Sequence, residues 1–236
     1  PGGILADIGT DHAYVPIALV QRQKIKGAIA MDINEGPLAR AQEHIRAARL
    51  EEYIQTRLSD GAEALLPNEA DSILIAGMGG ELILHILTEG ESVCSTAKEL
   101  ILQPQSEIHK VREYLRQHQY KIEDEDMVCE EGKYYPMMRV HYQAEKNEDA
   151  DKAIKDMENS KEQKKSRYKV ECLYGRYLVM EKNPVLHQYL VKERQVFENI
   201  LDNLFKQPES EKIAVRMEEV KEALGYNEAA LAYYRT

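Results

Sequence analysis

Along residues 1–118, apolar runs of strand length alternate with stretches of helical spacing. Ile4 to Ile8 is almost wholly apolar and stops at Gly9 and a polar turn, after which Tyr14 to Val20 takes up helical spacing. Gly27 to Ile33 is a second apolar run. Glu35 to Leu50 sets Leu38, Ala41, Ile45 and Ala48 three or four residues apart and tolerates Pro37 in its first turn. Ile54 to Leu58 predicts a third strand closing on Ser59-Asp60-Gly61, and Asp71 to Ala76 a fourth closing on Gly77-Met78-Gly79-Gly80. Leu100 to Leu102 predicts a fifth, ending at Gln103-Pro104-Gln105; helices follow over Glu81 to Leu87 and Glu107 to His118.

From Tyr120 two strands come in succession, Tyr120 to Glu130 and Tyr134 to Gln143, joined by the hairpin link Glu131-Gly132-Lys133. Five strand–helix units and a hairpin predict an α/β fold whose sheet is mostly parallel with one antiparallel strand inserted. After Ala144 strand signals stop. Glu145 to Lys169 is polar and reads as a solvated helix or helical linker, Tyr168 to Met180 has mixed apolar content, and Val185 to Phe205 and the stretch from Ile213 to Leu224 carry steps of three and four. Gln207-Pro208-Glu209-Ser210 between them predicts an antiparallel helical hairpin. The expected domains are therefore residues 1–144, α/β, and 145–236, all-α and coiled-coil-like.

Charge changes this picture in one place. The net charge of the 236 residues is −10, yet Lys152 to Lys169 holds seven basic side chains against three acidic ones. An acidic balance speaks against indiscriminate nucleic-acid binding, which requires phosphate neutralisation, and leaves that stripe as the place for it. No apolar run reaches the roughly 18 to 20 residues of a membrane span, and no signal-peptide pattern is present, so the expectation is a cytoplasmic protein without a membrane partner. Cys94, Cys129 and Cys172 offer neither a disulfide framework nor a metal knuckle. The chain opens at Pro1 directly into a strand, so a preceding segment is expected.

The turns carry the chemistry. Asp32 ends the second strand 23 residues beyond Gly9, a place where a carboxylate can accept both hydroxyls of a ribose. Gly9-Thr10-Asp11-His12 has one glycine where a dinucleotide turn wants three, and Asp7 and Asp11 would repel a diphosphate. They suit a cationic sulfonium bearing an ammonium group, so S-adenosylmethionine fits better than NAD or ATP. Asp7, Asp11, Asp32 and Asp60 all lie at strand ends, but hydroxyl and amino partners on such a cofactor account for them, and no metal is expected.

Asp7-Ile8-Gly9-Thr10-Asp11-His12-Ala13, Met31-Asp32-Ile33, Ser59-Asp60-Gly61, Ala76-Gly77-Met78-Gly79-Gly80 and Ile101-Leu102-Gln103-Pro104 together resemble the bacterial tRNA adenine-N1 methyltransferases that modify position 22. The resemblance continues through Tyr174-Gly175 and Lys182-Asn183-Pro184 into the helical tail. It implies a Rossmann-like class I methyltransferase domain, S-adenosylmethionine as cofactor, tRNA as partner and a helical domain that helps hold it. It also implies that Asp7, Gly9, Thr10 and His12 lie beside the methionine part of the cofactor, Asp32 and Ile33 at ribose and adenine, and Asp60 with Gly61 at the adenine amino group. Gln105 departs from the Asn expected in relatives, which bears on a target-side contact.

Methyl transfer to N1 of neutral adenine needs no strong base, because N1 already carries an in-plane lone pair; positioning does most of the work. Asp11 and His12 are the candidates for orienting the base or taking the N6 proton afterwards, although Asp11 equally suits a helix N-cap and His12 a satisfied packing role. Gly77, Gly79 and Gly80 allow the backbone to approach the methyl group and the flipped adenine, or else simply a tight strand-to-helix turn. Met78 is read as a cofactor contact or a buried gap-filler, and Gln103 as a target-side residue. An Asn-Pro-Pro-Tyr sequence, suited to attack by a delocalised N6, is absent at this turn. Lys161, Lys164, Lys165 and Arg167 are the expected tRNA contacts. Two other readings stand at this stage: a methyltransferase for another RNA or a small molecule, and a catalytically silent RNA-binding or assembly protein. A monomer is expected, with the helical hairpin as the alternative dimerisation element.

Overall fold

The computed structural model describes residues 2–143, 162–208 and 210–235, and the side chains of these except 162–165. One seven-stranded sheet has the order β3-β2-β1-β4-β5-β7-β6. Its strands are β1 Ile4–Ile8, β2 Gly27–Asp32, β3 Ile54–Leu58, β4 Ser72–Gly79, β5 Glu99–Ser106, β6 Tyr120–Glu130 and β7 Lys133–Tyr142. Helices α1 Tyr14–Gln21, α2 Glu35–Ala47, α3 Gly80–Glu89, α4 Glu91–Cys94 and α5 Ile108–Gln117 connect them. β1 pairs in parallel with β2 and β4, and β7 runs antiparallel to β5 with Leu100 opposite Val140. The predicted mixed α/β sheet is thus present.

The strands read as continuous apolar runs because both sheet faces are covered. Ala6, Ile8, Ile29, Met31, Ile73, Ile75, Leu100 and Leu102 are buried in one cluster with Ile83, Ile86, Leu87, Val111 and Leu115 of α3 and α5. Leu5, Ala28, Ala30 and Ile54 are buried on the other face with Ala13, Val20, Ala41 and Ile45. Strand order reverses between β1 and β4, which opens a crevice at the carboxyl ends of these strands.

β4 and β5 outrun their sequence signals. Their pairing continues past Ala76, with Met78 opposite Pro104 and Gly79 opposite Ser106, through two register shifts. Glycine and proline mark the end of a regular ladder, and a bulge carries the ladder past them. α4 is a four-residue turn, too short for periodicity to reveal. The hairpin turn has two left-handed residues, Glu131 and Gly132, so Lys133 already lies in β7.

The chain divides into two compact units, and residues 125–136, the tip of the β6–β7 hairpin, group with the helical one rather than with the sheet. Met127 is buried among Val170, Tyr174, Leu178, Leu186 and Leu190. Tyr177 N–H donates to Glu125 Oε2 (3.0 Å) and Asn183 Nδ2 to Asp126 Oδ1 (3.2 Å). The helices are α6 Glu162–Tyr174, α7 Arg176–Met180, α8 Pro184–Phe205 and α9 Glu211–Ala232. Asn183 caps α8 by accepting from the N–H groups of Val185 and Leu186, with Pro184 in the first turn; Ser210 caps α9. Most of the polar stretch 145–169 lies outside the described residues.

Candidate active site

Asp7 occupies the next-to-last position of β1, and the residue is only 8% exposed. Among the described residues it has one side-chain partner, Thr10 Oγ1, which donates to Oδ2 at 2.7 Å. Burial pushes its pKa up to about 6, and the Thr10 hydrogen bond offsets that only in part. The chain then turns over β2, with the N–H groups of Gly9 and Thr10 both donating to Met31 O at 2.8 Å. Gly9 takes φ 75°, where glycine alone is free of a steric cost, and His12 and Ala13 follow at 63° and 54°.

The N-cap of α1 is Ala13, without a side-chain hydrogen bond, so Asp11 does not cap the helix. Asp11 Oδ1 instead accepts from Arg40 Nη2 (2.9 Å) and Nε (3.2 Å), and lies 3.5 Å from His12 Nε2. Nor is His12 a satisfied packing residue, since its Nδ1 is buried with no hydrogen-bond partner among the described residues.

At the end of β2, Asp32 Oδ1 accepts from Asn34 N–H at 2.7 Å, while its backbone oxygen accepts from Ser59 N–H. Oδ2 has no hydrogen bond among the described residues. Ile33 beside it is 56% exposed, an apolar face next to a carboxylate. The Ser59 hydroxyl donates to Gly61 O (3.0 Å) and accepts from Ala64 N–H (3.1 Å), holding the loop that carries the exposed Asp60.

Met78 joins the two glycine turns. A Cβ on Gly9 would lie 1.9 Å from the Met78 methyl carbon, so Met78 rests directly on Gly9. Gly77, at φ 77°, donates its N–H to Gln103 Oε1 (2.9 Å), and Gln103 Nε2 donates to Pro104 O (3.3 Å). Gln103 therefore holds the turn, with one N–H left over. Gly80 would place a Cβ 2.6 Å from Ser106 O and 3.1 Å from Glu107 O, and Gly79 one 3.2 Å from Ser106 Oγ. The close approach at Gly80 is to the start of α5, which matches the tight-turn reading of these glycines.

Of the basic residues, Lys161 lies outside the described residues, and Lys164 and Lys165 belong to α6. Arg167 donates to Glu171 Oε1 at 3.1 Å. The sequence pattern gives Tyr14 and Arg40 no functional role and His44 a surface or packing one, yet the structure brings all three to the β1–α1 turn. The four-residue spacing of Arg40 and His44 on α2 was the available signal. Among the described residues no three His, Cys, Asp or Glu side chains are grouped to hold a metal ion.

A doubly wound sheet with carboxylates at the carboxyl ends of its first two strands is the architecture of a Rossmann-like methyltransferase. The family described as "Methyltransferase domain" matches residues 1–138. The tRNA (adenine(22)-N(1))-methyltransferase of Bacillus subtilis (strain 168) is 34% identical over 232 residues, 95% of this chain and 92% of that protein. Streptococcus pneumoniae Sp1610, a putative tRNA (m1A22) methyltransferase by its crystal-structure description, superposes with TM-score 0.81 at 32% identity, over 98% of this chain and 93% of that one. Its complex with S-adenosyl-L-methionine superposes at 0.73 and 33%, over 94% and 92%. The chain belongs to the tRNA (adenine(22)-N(1))-methyltransferase family.

Proposed function

We infer that this chain transfers a methyl group from S-adenosylmethionine to N1 of adenine 22 in tRNA. The observation that carries this reading is Met78 lying on Gly9, which makes one site of the two turns that together carry the family resemblance.

The residues present fit the cofactor. Asp7 is a buried carboxylate short of donors, suited to an ammonium group, and Gly9 and Thr10 line the turn beside it. The free oxygen of Asp32 suits a ribose hydroxyl, Ile33 the flat face of an adenine, and Asp60 with Gly61 its amino edge. Bound there, S-adenosylmethionine supplies an electrophilic methyl group. The chain's own work is positional: Gln103 fixes Gly77, Gly77 fixes Met78, and Met78 closes over Gly9. Asp11, held by Arg40, and His12 are the side chains that orient the substrate adenine and receive its N6 proton.

The tRNA is held through the basic stripe that includes Lys161, Lys164, Lys165 and Arg167, as phosphate contacts, with the helical unit as the part that grips it. Such an enzyme works in the cytoplasm, and no helix among the described residues is long and apolar enough to cross a membrane.

Incubation with an unmodified tRNA transcript and labelled cofactor, followed by mapping of the modified nucleoside, tests this reading. N1-methyladenosine at position 22 is expected. A methyl group at another site, or none, overturns the assignment.

A further inference from the structure

The β1–α1 turn carries more than the cofactor-side residues Asp7, Gly9 and Thr10. The rings of His12, Tyr14 and His44 form a mutual cluster, with centroids 5.1 Å apart for His12 and Tyr14, 4.9 Å for His12 and His44, and 5.2 Å for Tyr14 and His44. Their planes lie within 28° of parallel, and those of His12 and Tyr14 within 8°. Two consecutive non-glycine residues in the left-handed region, His12 and Ala13, fold the chain back so that these rings meet. Such backbone is locally unfavourable and persists where the surroundings hold it. His44 Nδ1 lies 3.2 Å from His12 O, which ties α2 to the turn.

Rings gathered for packing would be hidden, yet Tyr14 is 62% exposed. An exposed tyrosine ring backed by two stacked, half-buried imidazoles suits a planar, polarisable ligand. The cluster continues directly from Asp11 and His12, the residues proposed above to orient the adenine. A purine drawn out of an RNA stack loses the faces of its neighbours, and an enzyme that acts on it must supply a replacement face. Aromatic side chains do this without reading the base edge, because every base has a π-face.

We propose that His12, Tyr14 and His44 form a stacking tile for the adenine to be methylated, with Tyr14 as the contacting ring and His44 as a positioning residue that backs His12 and Tyr14. This rests on the tRNA adenine reading above and adds the surface that receives the base. Stacking needs the ring and not the hydroxyl, so Tyr14→Phe should preserve function where Tyr14→Leu does not.

The test uses the full chain, an unmodified tRNA transcript and a second transcript with the fluorescent base 2-aminopurine at position 22. Tyr14→Leu is expected to lower kcat/KM for tRNA by about 5- to 150-fold, the range for losing one aromatic–base stack. Calorimetric affinity for S-adenosylmethionine and the thermal midpoint should stay unchanged, and Tyr14→Phe should restore the rate. The 2-aminopurine should be quenched when bound to the parent protein and bright when bound to Tyr14→Leu. His44→Ala should fall between the two proteins in both readouts, and His44→Phe, which keeps the ring but not the contact to His12 O, should recover them in part. Parent-like methylation and quenching by Tyr14→Leu would overturn the tile, and so would a loss of cofactor affinity or folding in step with the rate. A parent protein that fails to methylate adenine 22 at all would bring down the functional reading, and the tile with it.

Discussion

Asp7 in the sheet and Glu193 in the helical unit are carboxylates withdrawn from water in opposite ways. Glu193 accepts from Tyr174 Oη at 2.7 Å, Tyr189 Oη at 2.7 Å and Asn227 Nδ2 at 2.9 Å. Burial, with the carboxylate beside them, pushes the Tyr174 and Tyr189 hydroxyls well above their ordinary pKa, so both remain donors. Asp7 has Thr10 alone. A carboxylate supplied with three donors is finished within the protein and holds α6, α8 and α9 in register. One supplied with a single donor is left ready for a cationic ligand. On the proposed reading of Asp7, the number of donors, and not burial alone, separates a structural acid from a binding one.

Removing the acid at each place is the strongest way to break this comparison. Glu193→Ala leaves the Tyr174 and Tyr189 hydroxyls without their acceptor and Asn227 Nδ2 with Leu190 O alone, and should destabilise the helical unit by about 3–5 kcal/mol, read by urea denaturation. Cofactor affinity should not change. If it falls together with stability, the two carboxylates are not separate in role.

Asp7 should act through pH. Its carboxyl in the folded chain ionises at about 6, against 3.8 for the ordinary group. Between those values the folded state keeps a proton that the unfolded state has released, so stability of the ligand-free chain should fall as pH rises through the window. The total is about 3 kcal/mol, and the loss persists above pH 6. Asp7→Asn has no such proton and should abolish the fall, as denaturation at a series of pH values would show. Affinity for the cationic cofactor, which needs the ionised acid, should weaken in the parent protein below about pH 6. An unchanged affinity across that range would remove Asp7 from the binding role.

Asp32 sharpens the comparison from the exposed side. Loss of its charge-assisted hydrogen bonds in Asp32→Ala should weaken S-adenosylmethionine binding about 100-fold by calorimetry, with little effect on stability. Undiminished uptake would place the cofactor elsewhere. Tyr189→Phe is the smallest change: Glu193 keeps two donors, so the cost should be about 1 kcal/mol. A cost as large as that of Glu193→Ala would mean that the three donors act as one unit.

Strands closed by an unambiguous turn were legible in the chain itself. β1, β3 and β6 have the bounds their apolar patterns predict, since Gly9, Ser59-Asp60 and Glu131-Gly132 leave no regular continuation. β4 and β5 were read short because a bulge is a pairing event between two strands, invisible in either one. Likewise the apolar content of Tyr120 to Glu130 marks a strand, but not that its far end packs with helices some fifty residues later.

The site divides in the same manner. Local pattern determined the parallel core and the carboxylates and glycines at strand ends, because strand ends, tight turns and the spacing from Gly9 to Asp32 are properties of neighbouring residues. Only the tertiary structure decided that Met78 rests on Gly9, that Asp11 answers to Arg40 instead of capping α1, that His44 completes a ring cluster with His12 and Tyr14, and that Glu193 is saturated by groups up to 34 residues away. Donor count, burial and ring geometry arise between segments distant along the chain, so they come into being when the sheet closes and the helices pack.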